Sequence, residues 1–426
     1  MKKLLFGIFA LFLIFHFSSC APEMDSVAVT GVKLSQTSIS LAMGSTQQLT
    51  ATVEPNTAAN KSVTWKSSND AIATVNATGL VTAKAEGTTN ITVTTVEGNK
   101  TATCTVVVNA LFGDDSWYAY YSSSSGPGIN LVFMGDGYTA ADISAGKYES
   151  DMKRAIDAFF AIDPYKTYKS YFNAYIIGAV SNQSGVGTGG VAKDTKFRVY
   201  HDAGSRMVAE NRDECFAHAL KIPGIDLYKS TVILIANSTT YGGTTHYTYS
   251  LTIPQRRQDL AICPSDNQLA ATVQHEAGGH GFGWLSDEYW SVGSGAVTEE
   301  QKERLNTHHE LGYSLNVSVT NDPSKVFWQD FIGKPNYPMV GFYEGAYLFE
   351  FGAWRSEEHS CMRYNDPYFN APSRALITRR IKELAGEPFT MEWFMANDNF
   401  AIYTRSNAFD LVSRRLLPPL APPEMF

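Results

Sequence analysis

The hydrophobic pattern of this 426-residue chain changes period partway along, and that change constrains the fold more than any other feature. Between residues 26 and 109, runs such as SISLAMG, QQLTATVEP, SVTWKSS, IATVNATGLVTA, NITVTTVEG and TATCTVVV alternate with period two. Turn residues at Met43-Gly44, Glu54-Pro55-Asn56 and Glu97-Gly98-Asn99 break them. Successive strand side chains point to opposite faces, so short alternating runs at this spacing predict an antiparallel β-sandwich. From Gly128 the texture is different. INLVFMG, FNAYIIGAV and STVILIAN are continuous apolar runs, as expected of strands buried on both faces. After the first of them, Ile143, Met152, Ile156 and Phe159-Phe160 recur at helical spacing, with Thr139 as the candidate cap. A second helix-like stretch, around Met207 to Leu220, precedes the third run. Strands separated by helices imply an α/β layer. The expected fold class is therefore multidomain: a β-sandwich over 26–109, a Ser-, Gly- and Tyr-rich linker over 110–127, an α/β domain over 128–395 and an extension over 396–426.

A net charge of −8 and a pI near 5.6, with no Lys/Arg-rich run, argue against a nucleic-acid partner. Lys2 and Lys3 precede the apolar run LLFGIFALFLIFHF and then Ser18-Ser19-Cys20, the pattern of an export signal. FSSC resembles a bacterial lipoprotein processing site. That resemblance makes residues 1–20 a lipoprotein-type signal peptide and Cys20 the lipidated membrane anchor of an outer-membrane or cell-surface protein. Cys104, Cys215, Cys263 and Cys361 are widely spaced, so neither a zinc ribbon nor a dense disulfide scaffold is expected. An exported chain leaves a bridge among the last three open.

The chemistry gathers in QHEAGGHGFGWLSDEYW, residues 274–290. A zinc hydrolase needs two imidazoles on one helix face, a carboxylate beside them to accept a proton from bound water, and a further ligand from elsewhere. In H-E-x-x-H the histidines are i and i+4, about 40° apart on the helix wheel. Here His275 and His280 are i and i+5, which a regular α-helix would splay by about 140°. The inserted residues are Gly278 and Gly279, which tolerate an unusual backbone at a cost of about 1 kcal/mol each in a helix. A π-bulge at Ala277 to Gly279 would bring His280 back to the face of His275.

Several resemblances extend this reading. VTWKSSNDAIATVNATGLVTAKAEG resembles the bacterial immunoglobulin-like domain of group 2, which implies a core Trp65 and turn glycines at Gly79 and Gly87. Gly283 stands where the helix of metzincin metalloproteases ends. Ser286 stands where those enzymes supply a third histidine, and the nearest ligand types are Asp287 and Glu288. Asp287 is the expected third metal ligand, with Glu288 as supporting or alternate ligand. The motif SCMRY offers the methionine beneath the metal, Met362. In some metzincin relatives a tyrosine two residues later steadies the oxyanion, which here is Tyr364. Taken in order, NLVFMGDGYTAADI, YFNAYIIG, HEAGGHGFGWLSDEY, KVFWQDFIG, GFYEGA and SCMR resemble the IgA-peptidase-like family of secreted bacterial zinc metallopeptidases. The family implies a Zn2+ endopeptidase acting on a protein or peptide substrate. Glu276 is then the base that activates a zinc-bound water, and His275, His280 and Asp287 are the ligands. This chain's longer gap departs from the family's H-E-x-x-H. The alternative is a surface adhesion or glycan-binding lipoprotein whose peptidase-like domain is inactive.

Other histidines read more plainly. His308 and His309 lie in a charged stretch expected to form a solvated helix, while His201 and His218 read as packing or surface residues. His246 follows Tyr241-Gly242-Gly243 in a run that could border the cleft, and Asp136 reads as a turn residue. GVGTGG lacks the Lys-Ser/Thr of a phosphate loop. No motif bears on oligomeric state.

Overall fold

The computed structural model describes residues 27–43, 45–109, 113–202, 204–250, 256–398 and 420–425. The expected signal peptide with Cys20, residues 110–112 of the linker and residues 399–419 of the extension lie outside the described residues. The chain divides into two compact units between Val108 and Asn109.

The first unit is built of β1 (Gly31–Leu34), β2 (Ser38–Ala42), β3 (Thr46–Gln48), β4 (Ala51–Glu54), β5 (Val63–Ser67), β6 (Ala73–Val75), β7 (Leu80–Ala83), β8 (Gly87–Thr95) and β9 (Thr101–Asn109). They form sheets ordered β2-β9-β8-β5, β3-β7-β6 and β1-β4. The pairs β1·β4, β3·β7, β6·β7, β5·β8 and β8·β9 are antiparallel. Period two is carried through: along β8, Thr89, Ile91, Val93 and Thr95 are buried while Thr88 and Asn90 are exposed. Leu49, Val81, Ile91, Cys104 and Val106 fill the centre, with Trp65 packed against them. Gly79 explains itself there. Its φ is +87°, and a Cβ would lie 2.5 Å from the Leu49 carbonyl and 2.8 Å from the Trp65 ring.

The second unit is organised by a seven-stranded sheet. Its strands are β10 (Trp117–Tyr121), β11 (Ile129–Asp136), β12 (Phe172–Ile177), β15 (Ser230–Ala236), β16 (Thr244–Tyr249), β17 (Arg257–Pro264) and β21 (Glu424–Met425), in the order β10-β12-β11-β15-β17-β16-β21. The short pair β13 (Val199–His201) and β14 (Met207–Ala209) lies outside it, as does the sheet of β18 (Val317–Ser318), β20 (Phe349–Arg355) and β19 (Tyr343–Ala346). The pairs β12·β11, β11·β15 and β15·β17 are parallel, as the unbroken apolar runs require. By contrast β10 and β16 run antiparallel to their neighbours.

The helices are α1 (Ala140–Ser144), α2 (Lys147–Phe159), α3 (Arg212–Ala219), α4 (Leu269–Thr272), α5 (Glu299–Glu310), α6 (Cys361–Tyr364), α7 (Ala371–Ala385) and α8 (Met391–Asn397). One face of the sheet (Val132, Met134, Val232, Leu234, Leu260, Ile262) packs with Phe197, Met207, Cys215 and Phe216 from β14, α3 and the segments beside them. The other side carries α2 and the helical segment that continues α4.

Local departures from expectation have local causes. The linker is not wholly irregular, because Trp117–Tyr121 pairs with β12 at the sheet edge. The helix after β11 starts at a Thr139 capping box but breaks at Gly146, which has φ +78°. The stretch from Met207 opens as strand β14 and is helical only over α3. The boundary at 395 cuts α8, and the extension returns to the sheet as β21. Asp136 is no turn residue: fully buried at the end of β11, it accepts from Phe197 N (2.8 Å), Val199 N (2.9 Å) and Thr195 Oγ1 (2.7 Å). Cys104, Cys215, Cys263 and Cys361 are buried free thiols, with no bridge among them.

Candidate metal centre

The helix after β17 begins as α4 and becomes a π-helix over Val273–Phe282. The widening spans the whole motif rather than the three residues expected. A π-helix bonds residues five apart, so i and i+5 take the place that i and i+4 hold in an α-helix. His275 and His280 therefore share one face, with Nε2 atoms 3.1 Å apart. Glycine is demanded by close neighbours. A Cβ on Gly279 would lie 2.1 Å from Met362 Sδ, and one on Gly283 would lie 2.8 Å from the Gly278 and Gly279 carbonyls. Met362 thus sits beneath the site. The Tyr165 hydroxyl donates to Gly278 O (2.5 Å), and Gly283 N does the same at 2.9 Å.

Both rings are fixed from behind. His275 Nδ1 lies 2.9 Å from Cys361 O and His280 Nδ1 lies 2.8 Å from Leu285 O. A carbonyl only accepts, so each Nδ1 donates, and a neutral ring then carries its lone pair on Nε2. Asp287 Oδ1 lies 3.2 Å from one Nε2 and 3.3 Å from the other. Two lone pairs and a carboxylate oxygen thus converge from buried side chains, an arrangement that fits a cation held between them. Burial tends to raise the Asp287 carboxyl, but His280 and His275 outweigh it and hold the group below the usual carboxylate range.

Glu276 is fully buried beside this group. Thr245 on β16 donates to its Oε2 (2.8 Å), and its Oε1 has no hydrogen-bond partner. Burial pushes its carboxyl above the usual carboxylate range, against the pull of His280, His275 and Thr245. A Cβ on Gly243 would come 3.1 Å from Glu276 Cγ, so the Tyr241-Gly242-Gly243 loop lies against this carboxylate.

Glu288 faces elsewhere. Its carboxylate is taken by Asn316 Nδ2 (2.9 Å), Asn370 Nδ2 (2.9 and 2.8 Å) and Ser360 Oγ, and its backbone N–H donates to Met362 O (2.8 Å). It ties the ligand loop to α6 as a supporting residue.

Tyr364 is the last residue of α6, and its ring contacts are with His359, at 5.2 Å, and the Arg363 guanidinium, at 4.4 Å. The phenols near the carboxylates are Tyr241, beside Glu276, and Tyr289, beside Asp287 and Glu276. Neither stood out in the sequence, although Tyr289 follows Asp287 by two residues. Arg257 was missed as well: it donates to His280 O (2.8 Å) and pairs with Asp259 (2.6 Å).

Three further described histidines are held in the packed interior. His308 is buried, not solvated, because one face of α5 packs inward. His246 is fully buried on β16 with Nε2 at 2.8 Å from Met207 O. His218 belongs to a second group with Asp114 and Asp115, whose carboxylates are already paired with Lys196 (2.7 Å) and Lys221 (2.6 Å).

Comparison with known proteins agrees with this division. The bacterial Ig-like domain (group 2) model matches residues 28–106. An Ig-like virion protein of Serratia phage KSP90 is 52% identical over 84 residues, 20% of this chain and 33% of that protein. The lacto-N-biosidase of Bifidobacterium bifidum is 46% identical over 87 residues, 20% of this chain and 8% of that protein. The matches thus span a third or less of these relatives. Domains 4 and 5 of the S-layer protein SbsC align at 24% identity over 20% of this chain and 53% of theirs, with a TM-score of 0.18. The model for IgA Peptidase M64 matches residues 120–339, just over half of the chain and inclusive of every residue of the His-His-Asp group. Behind its immunoglobulin-like domain, the chain belongs to the IgA Peptidase M64 family of metallopeptidases.

Proposed function

We propose that the chain is an exported zinc endopeptidase of extracellular proteins, metzincin-like in its α/β unit, with His275, His280 and Asp287 as ligands and Glu276 as general base. One observation carries the reading: the Nε2 atoms of His275 and His280, 3.1 Å apart, converge with Asp287 Oδ1, and Glu276 lies beside them. Two imidazole nitrogens and one carboxylate oxygen are a donor set that suits zinc with a position left open. Zinc bound there would supply Lewis acidity at the scissile carbonyl and at the attacking water. Glu276 takes the water's proton and delivers it to the leaving amine. Thr245 anchors one carboxylate oxygen of Glu276 while the other, unpartnered, is free to hold that proton. Burial raises the carboxyl, which strengthens Glu276 as the base that takes the water's proton. The export segment, with Cys20 as lipid anchor, would put the immunoglobulin-like domain between membrane and peptidase.

Metal analysis of the purified full chain tests this. About one zinc per chain is expected, lost in His280→Ala, with casein cleavage abolished in Glu276→Gln while the metal stays. A metal-free native protein would sink the proposal, and undiminished cleavage by Glu276→Gln would remove Glu276 as the base.

A further inference from the structure

Strand β16 is flanked on one side by β17 and on the other by residues 420–425, LAPPEM. This segment is far from β16 in sequence, yet it is seated closely. Glu424 and Met425 pair in parallel with His246 and Tyr247. The Glu424 carboxylate lies 3.2 Å from His246 Nδ1 and 3.9 Å from Arg206. Leu420 is 2% exposed, and its carbonyl accepts a hydrogen bond from the Tyr289 hydroxyl at 2.5 Å. That is the phenol that stands beside Asp287. Pro422 and Pro423 wall a cavity of about 220 Å³ that Asp287, Tyr247, Arg304 and Tyr347 also line.

A peptide carbonyl held by a phenol next to a metal-ligand group, with the following residues added to a sheet edge, is how a bound polypeptide would lie. The composition suits the place. Prolines have no N–H to leave unpaired and are already fixed near extended geometry, so ordering them costs little. The acid lies 3.9 Å from the Arg206 guanidinium, a cation that suits it. All four residues of the candidate centre are at most 2% exposed, so a protein substrate must displace something to reach them.

We infer that residues 420–425 are a built-in occupant of the groove between β16 and Tyr289, and that this groove takes extended peptides with prolines followed by an acidic residue. The occupant blocks the site until it leaves. This rests on the peptidase reading for its consequence, but not for its test.

Glu424 is partly exposed, so Glu424→Lys in the full chain opposes Arg206 without disturbing the core. A fluorescein-labelled Leu-Ala-Pro-Pro-Glu-Met peptide is titrated against both proteins and followed by anisotropy. Glu424→Lys should bind the probe about fivefold more tightly than the unaltered chain, in line with the loss and reversal of an exposed ion pair. The charge-swapped Arg206→Glu/Glu424→Lys protein should return toward the unaltered value. Casein cleavage, where present, should rise in Glu424→Lys by a similar factor. Equal affinity in all three proteins, or no binding to any, overturns the inference. If the proteins hold no metal and cut nothing but the affinities differ as stated, the peptidase proposal fails and this one stands.

Discussion

At the residue scale, the glycines between the two histidines are set by contact as much as by backbone freedom. Gly279 leaves room for Met362 Sδ, which would stand 2.1 Å from a Cβ, and Met362 is itself fully buried. Gly279→Ala is therefore expected to destabilise the chain by about 2 kcal/mol, the usual cost of forcing extra volume into a packed interior. Met362→Ala in the same chain should recover part of this loss, since the two side chains compete for one space. Denaturant titration of the two single variants and the double variant measures it, and strict additivity would refute the contact. Thr245 offers a second check. Thr245→Val keeps the shape and removes the bond to Glu276 Oε2, so cleavage should fall about tenfold through kcat with metal content unchanged. Thr245→Ser should restore most of it. A third case is His308, which burial and the neighbouring charges of Arg304, Arg257 and His309 push down to about 4. Its unfolded value is about 6.5, so below that pH the unfolded chain takes up a proton that the folded chain refuses. The stability contributed is complete above pH 6.5 and drains away as pH falls towards 4, by about 3 kcal/mol at most. His308→Gln should flatten the melting temperature between those limits, and an unchanged slope would exclude His308 as its source.

At the scale of elements, the π-helix needs its widened ladder supported from outside. The Tyr165 hydroxyl caps the Gly278 carbonyl at 2.5 Å from across the core. Tyr165→Phe should leave that carbonyl with one partner fewer, cost about 1–2 kcal/mol, and weaken metal retention because the spacing of His275 and His280 depends on the same turn. Retention against a chelator reads this directly; an unaltered off-rate would mean the helix holds its shape unaided. Elements of this kind mark the limit of what the sequence made legible. The buried strands β11, β12 and β15 stand out as apolar runs because burial on both faces leaves a local trace. The pair His275 and His280 was legible too, since their spacing poses a geometric problem that only a distorted helix solves. Thr245, Tyr289 and Arg257 were not. Thr245 reaches Glu276 and Arg257 reaches His280 from strands 31 and 23 residues away in sequence, and no periodicity reports such contacts. The pairing of β21 with β16 was equally hidden, because two residues have no period.

At the scale of the whole molecule, the two units differ in what they offer a metal. Residues 26–109 contain no histidine, and among the described residues the His-His-Asp group lies wholly within the second unit. Each unit has a hydrophobic core of its own, centred on Leu49, Ile91 and Val106 in one and on Val132, Leu234 and Ile262 in the other. Calorimetry of the full chain should accordingly show two transitions. A ligand that binds only the folded state stabilises it by RT ln(1 + [L]/Kd), about 4 kcal/mol at a thousandfold excess over Kd. Removing a bound metal ion with a chelator should then lower one transition by on the order of 10 °C for a unit of this size and leave the other in place. His280→Ala should melt where the chelated chain does and be indifferent to chelator, because the ion it would have held is already gone. If both transitions moved together, or if His280→Ala still responded to chelator, the stabilising ion would lie outside the group formed by His275, His280 and Asp287.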